Sequence, residues 1–224
     1  MISHKKKFIF VHVYKTAGTS VREALKPYCV KWDERVSRRM RRFPWLSPLA
    51  DKLYSYHLPA SEWIRKIGEE RFQSYFSFAF VRNPWDWQVS LYNFMLKTKV
   101  YHQPEVVNGI SGFTQYLEWR CREEVRFQRD FVFSKDGRQL VDFIGRFENL
   151  EEDFRHVCSQ IGVSAVLPKL NESGHRPYKE FYTPETIELV RRTFAADIDL
   201  FKYEFDAGTG KADAHLPKTA SSTE

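Results

Sequence analysis

The chain of 224 residues is 42% hydrophobic, 29% charged and 16% aromatic. This composition excludes a disordered protein and fits one globular domain with a sizeable core. Thirty-five basic residues against 29 acidic ones give a formal net charge of +6, which suits an anionic ligand but fits a solvated basic surface equally well.

The cysteine pattern bears on the cellular compartment. Cys29, Cys121 and Cys158 show neither metal-type nor disulfide-type spacing, which favours a reducing, cytoplasmic setting. The apolar run that follows the basic segment 1–7 is too short for a signal peptide or a membrane span. We therefore expect an intracellular protein with no membrane span, provided that the chain is not a shortened form of a membrane-anchored protein.

The first strong pattern is a strand, a loop and a helix. Residues 8–13 form an almost continuous apolar run, typical of a buried parallel strand. The segment Lys15-Thr-Ala-Gly-Thr-Ser20 follows, and helical apolar spacing begins at Val21. Free backbone N–H groups, a helix dipole and a lysine at one spot predict an anion site.

The remaining elements alternate along the chain. Residues 33–43 carry a dense arginine cluster, Arg35–Arg42, which is either a solvated face or a clamp for an acidic ligand. Periodicity and capping residues predict further helices over 59–67, 84–97, 113–124, 150–161 and 184–194. Further strands are predicted at 53–57, 76–81, 131–133 and 139–147, the last two around an Asp136-Gly137 turn.

This alternation predicts an α/β, P-loop-like three-layer fold with a mostly parallel sheet flanked by helices. We expect one domain over 1–206 and a disordered tail over 207–224. Ligands of such sheets bind at the carboxyl ends of the strands. Lys15, His57 and Arg82 each lie at or just after such an end, so they are expected to converge.

The lysine loop is not an ordinary nucleotide-triphosphate loop. It lacks the early glycine and the Gly-Lys-Ser/Thr ending of such loops, because Lys15 precedes Gly18. No convincing aspartate set for magnesium accompanies it. Arg82, with Ser90 two turns into the next helix, could bind a second phosphate, although a strand-end arginine is often structural.

These residues resemble a known family. Lys15–Ser20 resembles the 5′-phosphosulfate-binding loop of sulfotransferases, and Arg82-Asn-Pro with Ser90 resembles their 3′-phosphate motif. His57-Leu-Pro is similar to the catalytic histidine segment of cytosolic members. Phe147-Glu-Asn-Leu is similar to the segment that meets the adenine, and the 171–178 loop to the late basic loop that closes on the 3′-phosphate. The resemblance spans about residues 7–205 and is closest in style to Golgi-type and bacterial carbohydrate sulfotransferases.

The resemblance implies 3′-phosphoadenosine 5′-phosphosulfate (PAPS) as sulfuryl donor, a hydroxylated acceptor of carbohydrate type, and no metal. It implies His57 as general base and Lys15 as the group that stabilises the leaving phosphate. The donor-binding residues that it implies are Lys15, Thr16, Ala17, Gly18, Thr19, Ser20, Arg82, Ser90, Phe147 and Arg176.

Several alternatives stay open. The chain could be a P-loop kinase-like phosphotransferase, or a non-catalytic nucleotide- or polyanion-binding module that uses the arginine segment. Nucleic acid is a less favoured partner, and the oligomeric state is open. Some cytosolic members carry a lysine where this chain has Ser55, so Glu62 is a substitute candidate for the base.

Other residues near these motifs have open roles. We expect His12 to be a packed strand histidine close to Lys15. Gln128, Tyr101 and His102 are candidates for the acceptor side.

Overall fold

The fold is α/β and its central sheet is mostly parallel, as expected. The structure is a computed structural model that describes residues 1–29, 57–98, 109–168 and 176–206. In these ranges one sheet has four strands in the order β1-β2-β3-β4. β1 is antiparallel to β2, whereas β2, β3 and β4 are mutually parallel neighbours. The strands are β1 (Ile2–Ser3), β2 (Phe8–Phe10), β3 (Phe76–Val81) and β4 (Phe143–Arg146).

Helices separate the parallel strands along the chain. They are α1 (Gly18–Leu25), α2 (Ala60–Ile67), α3 (Glu69–Gln73), α4 (Pro84–Thr98), α5 (Phe113–Glu123), α6 (Arg129–Val132), α7 (Leu150–Ile161), α8 (Pro184–Thr193) and α9 (Ala195–Phe201). Short 3-10 turns lie at Lys26–Tyr28, Phe147–Asn149 and Tyr178–Phe181.

Alternation along the strands produces two cores. Side chains of a strand point to opposite faces in turn. On one face, buried phenylalanines of the strands pack with α1 and α7; they are Phe8, Phe10, Phe78, Phe80 and Phe143. On the other face, smaller strand residues pack under α4, α5, α8 and α9; they include Ile9, Val11, Ala79, Val81 and Ile144. The result is a helix–sheet–helix arrangement of three layers.

Capping residues position the helices as the sequence predicts. Asn83 precedes Pro84, and its Oδ1 accepts a hydrogen bond of 3.0 Å from the Trp85 N–H. Gly68 and Gly162 end α2 and α7 with φ values of 86° and 61°, a backbone region in which only glycine is unstrained. The helix predicted to end near Phe194 is followed by a further helix, α9, which the sequence reading did not separate.

The predicted hairpin around Asp136-Gly137 is wrong in most of its length. Residues 129–132 form the short helix α6, and the pairing is reduced to one antiparallel bridge between Phe133 and Gln139. The cause is Asp197, whose two carboxylate oxygens accept the N–H groups of Gln128 and Arg129 at 2.7 and 2.9 Å. These bonds satisfy the first N–H groups of a helical turn and favour it over a strand. The second strand is shortened to Phe143–Arg146.

Some predictions lie outside the described residues. They concern the arginine segment Arg35–Arg42, strand residues 53–56, residues 171–175 of the late basic loop and the tail at 207–224. The single domain over 1–206 therefore stays a prediction. Cys29, Cys121 and Cys158 are free thiols; the cytoplasmic setting stays a prediction. Among the described helices, none is both long and apolar enough to cross a bilayer.

Candidate active site

The lysine loop is a backbone concavity at the start of α1. Lys15 and Ala17 have φ values of 64° and 61°, a left-handed conformation that costs non-glycine residues energy and that is concentrated at functional sites. Such conformations turn backbone N–H groups into one concavity, a common anion site. The buried Thr16 hydroxyl donates to the Val13 carbonyl at 2.8 Å and so holds the loop in place. Ala17 occupies the N-cap position and provides no side-chain cap, so the first N–H groups of α1 suit an anion.

The charge of Lys15 is destabilised where it stands. The side chain is half-buried, and its Nζ lies 4.3 Å from the centroid of the Phe94 ring. Burial, followed by repulsion from Arg82 and Lys97, lowers the pKa of Lys15 from 10.5 to about 8. An anion bound beside the ammonium would remove this penalty.

Arg82 lies against the same loop. It is buried, with its Nε donating to Asp86 Oδ2 at 2.7 Å and its Nη1 to the Lys15 carbonyl at 3.2 Å. Its guanidinium carbon is 3.9 Å from the centroid of the Phe147 ring. A guanidinium has five N–H donors, so these two bonds leave others for a ligand. The structure thus brings Lys15, Arg82 and Phe147 into one cluster.

The backbone of Arg82 is held by a side chain that sequence reasoning placed elsewhere. Gln128 Oε1 accepts from the Arg82 N–H at 2.9 Å, and Gln128 Nε2 donates to the Arg82 carbonyl at 2.7 Å. Gln128 is fully buried. The expectation that it lies on the acceptor side is therefore wrong, because both ends of its amide bind backbone.

Glu148 is a second residue that sequence reasoning missed. Its Oε1 accepts from the Asn83 N–H at 2.6 Å and its Oε2 from the Tyr203 hydroxyl at 3.0 Å. Burial raises the pKa of Glu148 despite these bonds. The signal was present, because Glu148 directly follows Phe147 in the quoted motif. It ties that motif to the residue after Arg82.

One face of α4 continues the cluster. Asp86, Ser90 and Phe94 are four residues apart and so share a helix face. Asp86 binds Arg82 and Phe94 lies beside the Lys15 ammonium, which places the buried Ser90 between the two cations. Its position suits a hydrogen bond to a bound anion.

His57 lies beside residues 12 and 14, in the segment that leads into the loop. Its Nδ1 is 3.2 Å from the His12 carbonyl oxygen, and its ring centroid is 4.4 Å from that of His12. Partial burial of the ring lowers the pKa of His57, aided by repulsion from Arg22 and opposed by the bond to His12. A carbonyl can only accept, so Nδ1 carries the proton and Nε2 of the neutral ring is a free base.

The other candidates are placed as follows. Arg176 is exposed, and its guanidinium lies 4.5 Å from the centroid of the Phe181 ring. It is therefore not part of the cluster around Arg82. Glu62 forms an ion pair with Arg65 on α2. Ser55, Tyr101 and His102 lie outside the described residues. Within the described ranges, no group of three or more His, Cys, Asp or Glu side chains is arranged to hold a metal ion.

Comparison with known proteins gives two findings. The sequence profile of the group described as "Sulfotransferase family" matches residues 1–204. A protein of Archaeoglobus fulgidus that carries the description "Uncharacterized protein" is 29% identical over 132 residues, which cover 55% of this chain and 98% of that protein. The profile match extends over the lysine loop, His57, Arg82 and Phe147, and the chain belongs to the sulfotransferase family.

Proposed function

We propose that this enzyme moves a sulfuryl group from PAPS to a hydroxyl of a carbohydrate acceptor. The observation that carries the proposal is the 3.2 Å hydrogen bond from Arg82 Nη1 to the Lys15 carbonyl. It joins two anion sites of different design, a backbone concavity and a buried guanidinium. A donor with two separated phosphate groups is complementary to such a pair.

Each phosphate has its own set of residues in this proposal. The 5′-phosphate binds the N–H groups of Gly18, Thr19 and Ser20, with the hydroxyls of the last two. The 3′-phosphate binds Arg82 and Ser90. Arg176, which lies beside Phe181 in this structure, is the third residue of this set because the family resemblance assigns it there. The half-buried Phe147 ring lies against the Arg82 guanidinium, at 3.9 Å. This position beside the proposed 3′-phosphate site supports a role for the ring as a contact of the adenine.

The reaction is an in-line displacement at sulfur. The acceptor oxygen attacks the sulfur, the bond from sulfur to the 5′-phosphate oxygen breaks, and its electron pair leaves with 3′,5′-ADP. The acceptor proton passes to Nε2 of His57, the nitrogen opposite the one that faces the His12 carbonyl. Lys15 stabilises the charge that develops on the leaving oxygen.

The acceptor class rests on Phe94 and on the resemblance to carbohydrate sulfotransferases. Phe94 is 42% exposed although it is a large apolar residue. It also lies 4.3 Å from the Lys15 ammonium, at the proposed reacting centre. Aromatic faces in such positions suit the apolar face of a sugar ring.

A thermal shift series tests donor recognition. We expect 3′,5′-ADP to raise the melting temperature more than ATP with magnesium does, and Arg82→Ala to abolish that shift. A larger shift with ATP and magnesium would instead support a kinase-like phosphotransferase. Strongly salt-dependent binding of polyanions with no nucleotide effect would support a non-catalytic module.

A transfer assay tests the base. With labelled PAPS and a panel of hydroxylated carbohydrates, His57→Ala should retain the 3′,5′-ADP shift and lose about 10²- to 10⁴-fold in turnover. The control is His4→Ala, since His4 is exposed and contacts Tyr75 instead of the loop. Undiminished transfer in His57→Ala would assign the proton to another group.

A further inference from the structure

His12 is packed between an aromatic residue and the proposed base. It is only 8% exposed. Its ring stacks on Phe10 at 5.4 Å with 24° between the planes, and lies 4.4 Å from the His57 ring at 45°. The imidazole thus fills the space between the sheet and His57.

The same ring sets the identity of Gly18. A Cβ added to Gly18 would lie 1.7 Å from His12 Nε2 and 2.0 Å from its Cδ2, distances far below contact. Gly18 is the first residue of α1, in the anion loop. The glycine is therefore required because the His12 ring occupies the place of a side chain.

His12 consequently touches both halves of the site. Its ring meets the loop at Gly18 and the base at His57, and its carbonyl accepts from His57 Nδ1.

We propose that His12 is a positioning residue that sets the distance and orientation of the His57 ring relative to the phosphate loop. It acts through His57 and does not contact the reacting atoms. The effect of His12 on catalysis rests on the proposed function. Its effect on the position of the His57 ring is independent of that function.

A double-mutant cycle tests the catalytic side. We expect His12→Ala to lower the turnover number about 10-fold or more while 3′,5′-ADP affinity changes less than about 3-fold. Because His12 acts through His57, the His12→Ala/His57→Ala double variant should be no slower than His57→Ala. Additive losses in the double variant would overturn the proposal, since they would give His12 an independent role.

The glycine provides a second test. Gly18→Ala should lose 3′,5′-ADP binding, because its Cβ collides with the His12 ring. Adding His12→Ala should restore binding but should raise transfer only to the rate of the His12→Ala variant, since the loop closes again while the base is misplaced. Transfer at the wild-type rate would show that His57 does not need His12 and would contradict the proposal.

A spectroscopic readout separates this inference from the proposed function. We follow the His57 ring nitrogens by NMR titration in the wild type, His12→Ala and, where the alanine variant yields no folded protein, His12→Asn. Removal of the neighbouring ring should hydrate His57 and move its pKa upward towards the ordinary 6.5, with Arg22 present in every variant. An unchanged His57 titration would overturn the positioning role, even if the wild type transferred nothing from PAPS.

The matched control is His156. Its ring centroid lies 4.8 Å from that of Phe143, with 35° between the planes, and Phe143 belongs to the same phenylalanine layer of the sheet. His156→Ala should change stability without changing the His57 titration or the turnover. Equal effects of the two alanine variants on His57 would reduce His12 to a packing residue.

Discussion

The two proposed anion sites of this protein are built in opposite ways. The loop after β2 uses backbone, and its strained residues Lys15 and Ala17 are only two positions apart in sequence. The site after β3 is centred on the side chain of Arg82, whose backbone and guanidinium are held by Gln128 and Asp86. Gln128 is 46 residues away. The first site is local, and the second exists only after the chain has folded.

The two sites also differ in the charges that surround their cations. Arg82 has a carboxylate partner at 2.7 Å, whereas the charges that act on Lys15 are the cations Arg82 and Lys97. An anion therefore adds a second negative partner at Arg82 but relieves a penalty at Lys15. This difference predicts that the arginine site governs stability and that the lysine site governs the pH dependence of binding.

The largest expected effect is on stability at the arginine site. Arg82→Ala leaves Asp86, whose side chain is 14% exposed, without its cation, and should lower the free energy of unfolding by about 3 kcal/mol. Arg65→Ala removes a comparable helix-spaced pair whose arginine is 73% exposed, and should cause no measurable loss. Urea denaturation measures both, and equal losses would erase the distinction between the two pairs.

The next effect is a pH dependence at the lysine site. The pKa of Lys15 is about 8 in the free protein, and bound phosphate raises it, so the complex holds more protons than the free protein above pH 8. Affinity for 3′,5′-ADP should therefore fall as pH rises from about 8, by at most about 10-fold per pH unit. Calorimetry measures this fall together with the proton uptake.

Lys15→Arg is the control for that dependence. Arginine stays protonated throughout the range, so the affinity of this variant should not fall between pH 8 and 9. A wild-type affinity that is flat in this range would mean that Lys15 does not sense the ligand.

The smallest expected effect is on stability, and it distinguishes a helix cap that makes a hydrogen bond from one that makes none. Asn83 Oδ1 accepts from the Trp85 N–H, and Asn83→Ala should lower the unfolding free energy by about 1 kcal/mol. Asn149 occupies the same position before α7 but makes no capping hydrogen bond. Asn149→Ala should be close to neutral, and chemical denaturation that ranks the two variants in the reverse order would contradict this reading of the helix starts.

The features of the fold that depend on residues close together in sequence could be predicted. Gly68, Gly162 and the Asn83-Pro84 pair punctuate helices through local backbone preferences, and their helices end or begin as expected. The parallel order of β2, β3 and β4 follows from strand–helix alternation. The anion loop was visible for the same reason, since its residues are contiguous.

Long-range polar contacts were not predictable in this way. Asp197 captures the N–H groups of Gln128 and Arg129 from 69 and 68 residues away and turns an expected strand into a helical turn. Gln128 has no periodic signal that marks it as a partner of Arg82. The link from His12 to Gly18 is equally hidden, because it depends on a ring that fills the place of an absent Cβ.

The two strand ends are proposed to bind the two phosphates of one nucleotide. The most direct measurement compares calorimetric affinities for 3′,5′-ADP and 5′-AMP in the wild type, Asp86→Asn and Arg82→Gln/Asp86→Asn, whose paired change leaves no buried lone charge. We predict that the preference for 3′,5′-ADP is kept in Asp86→Asn and lost in the double variant. A double variant that retains the wild-type preference would contradict the assignment of the 3′-phosphate to Arg82.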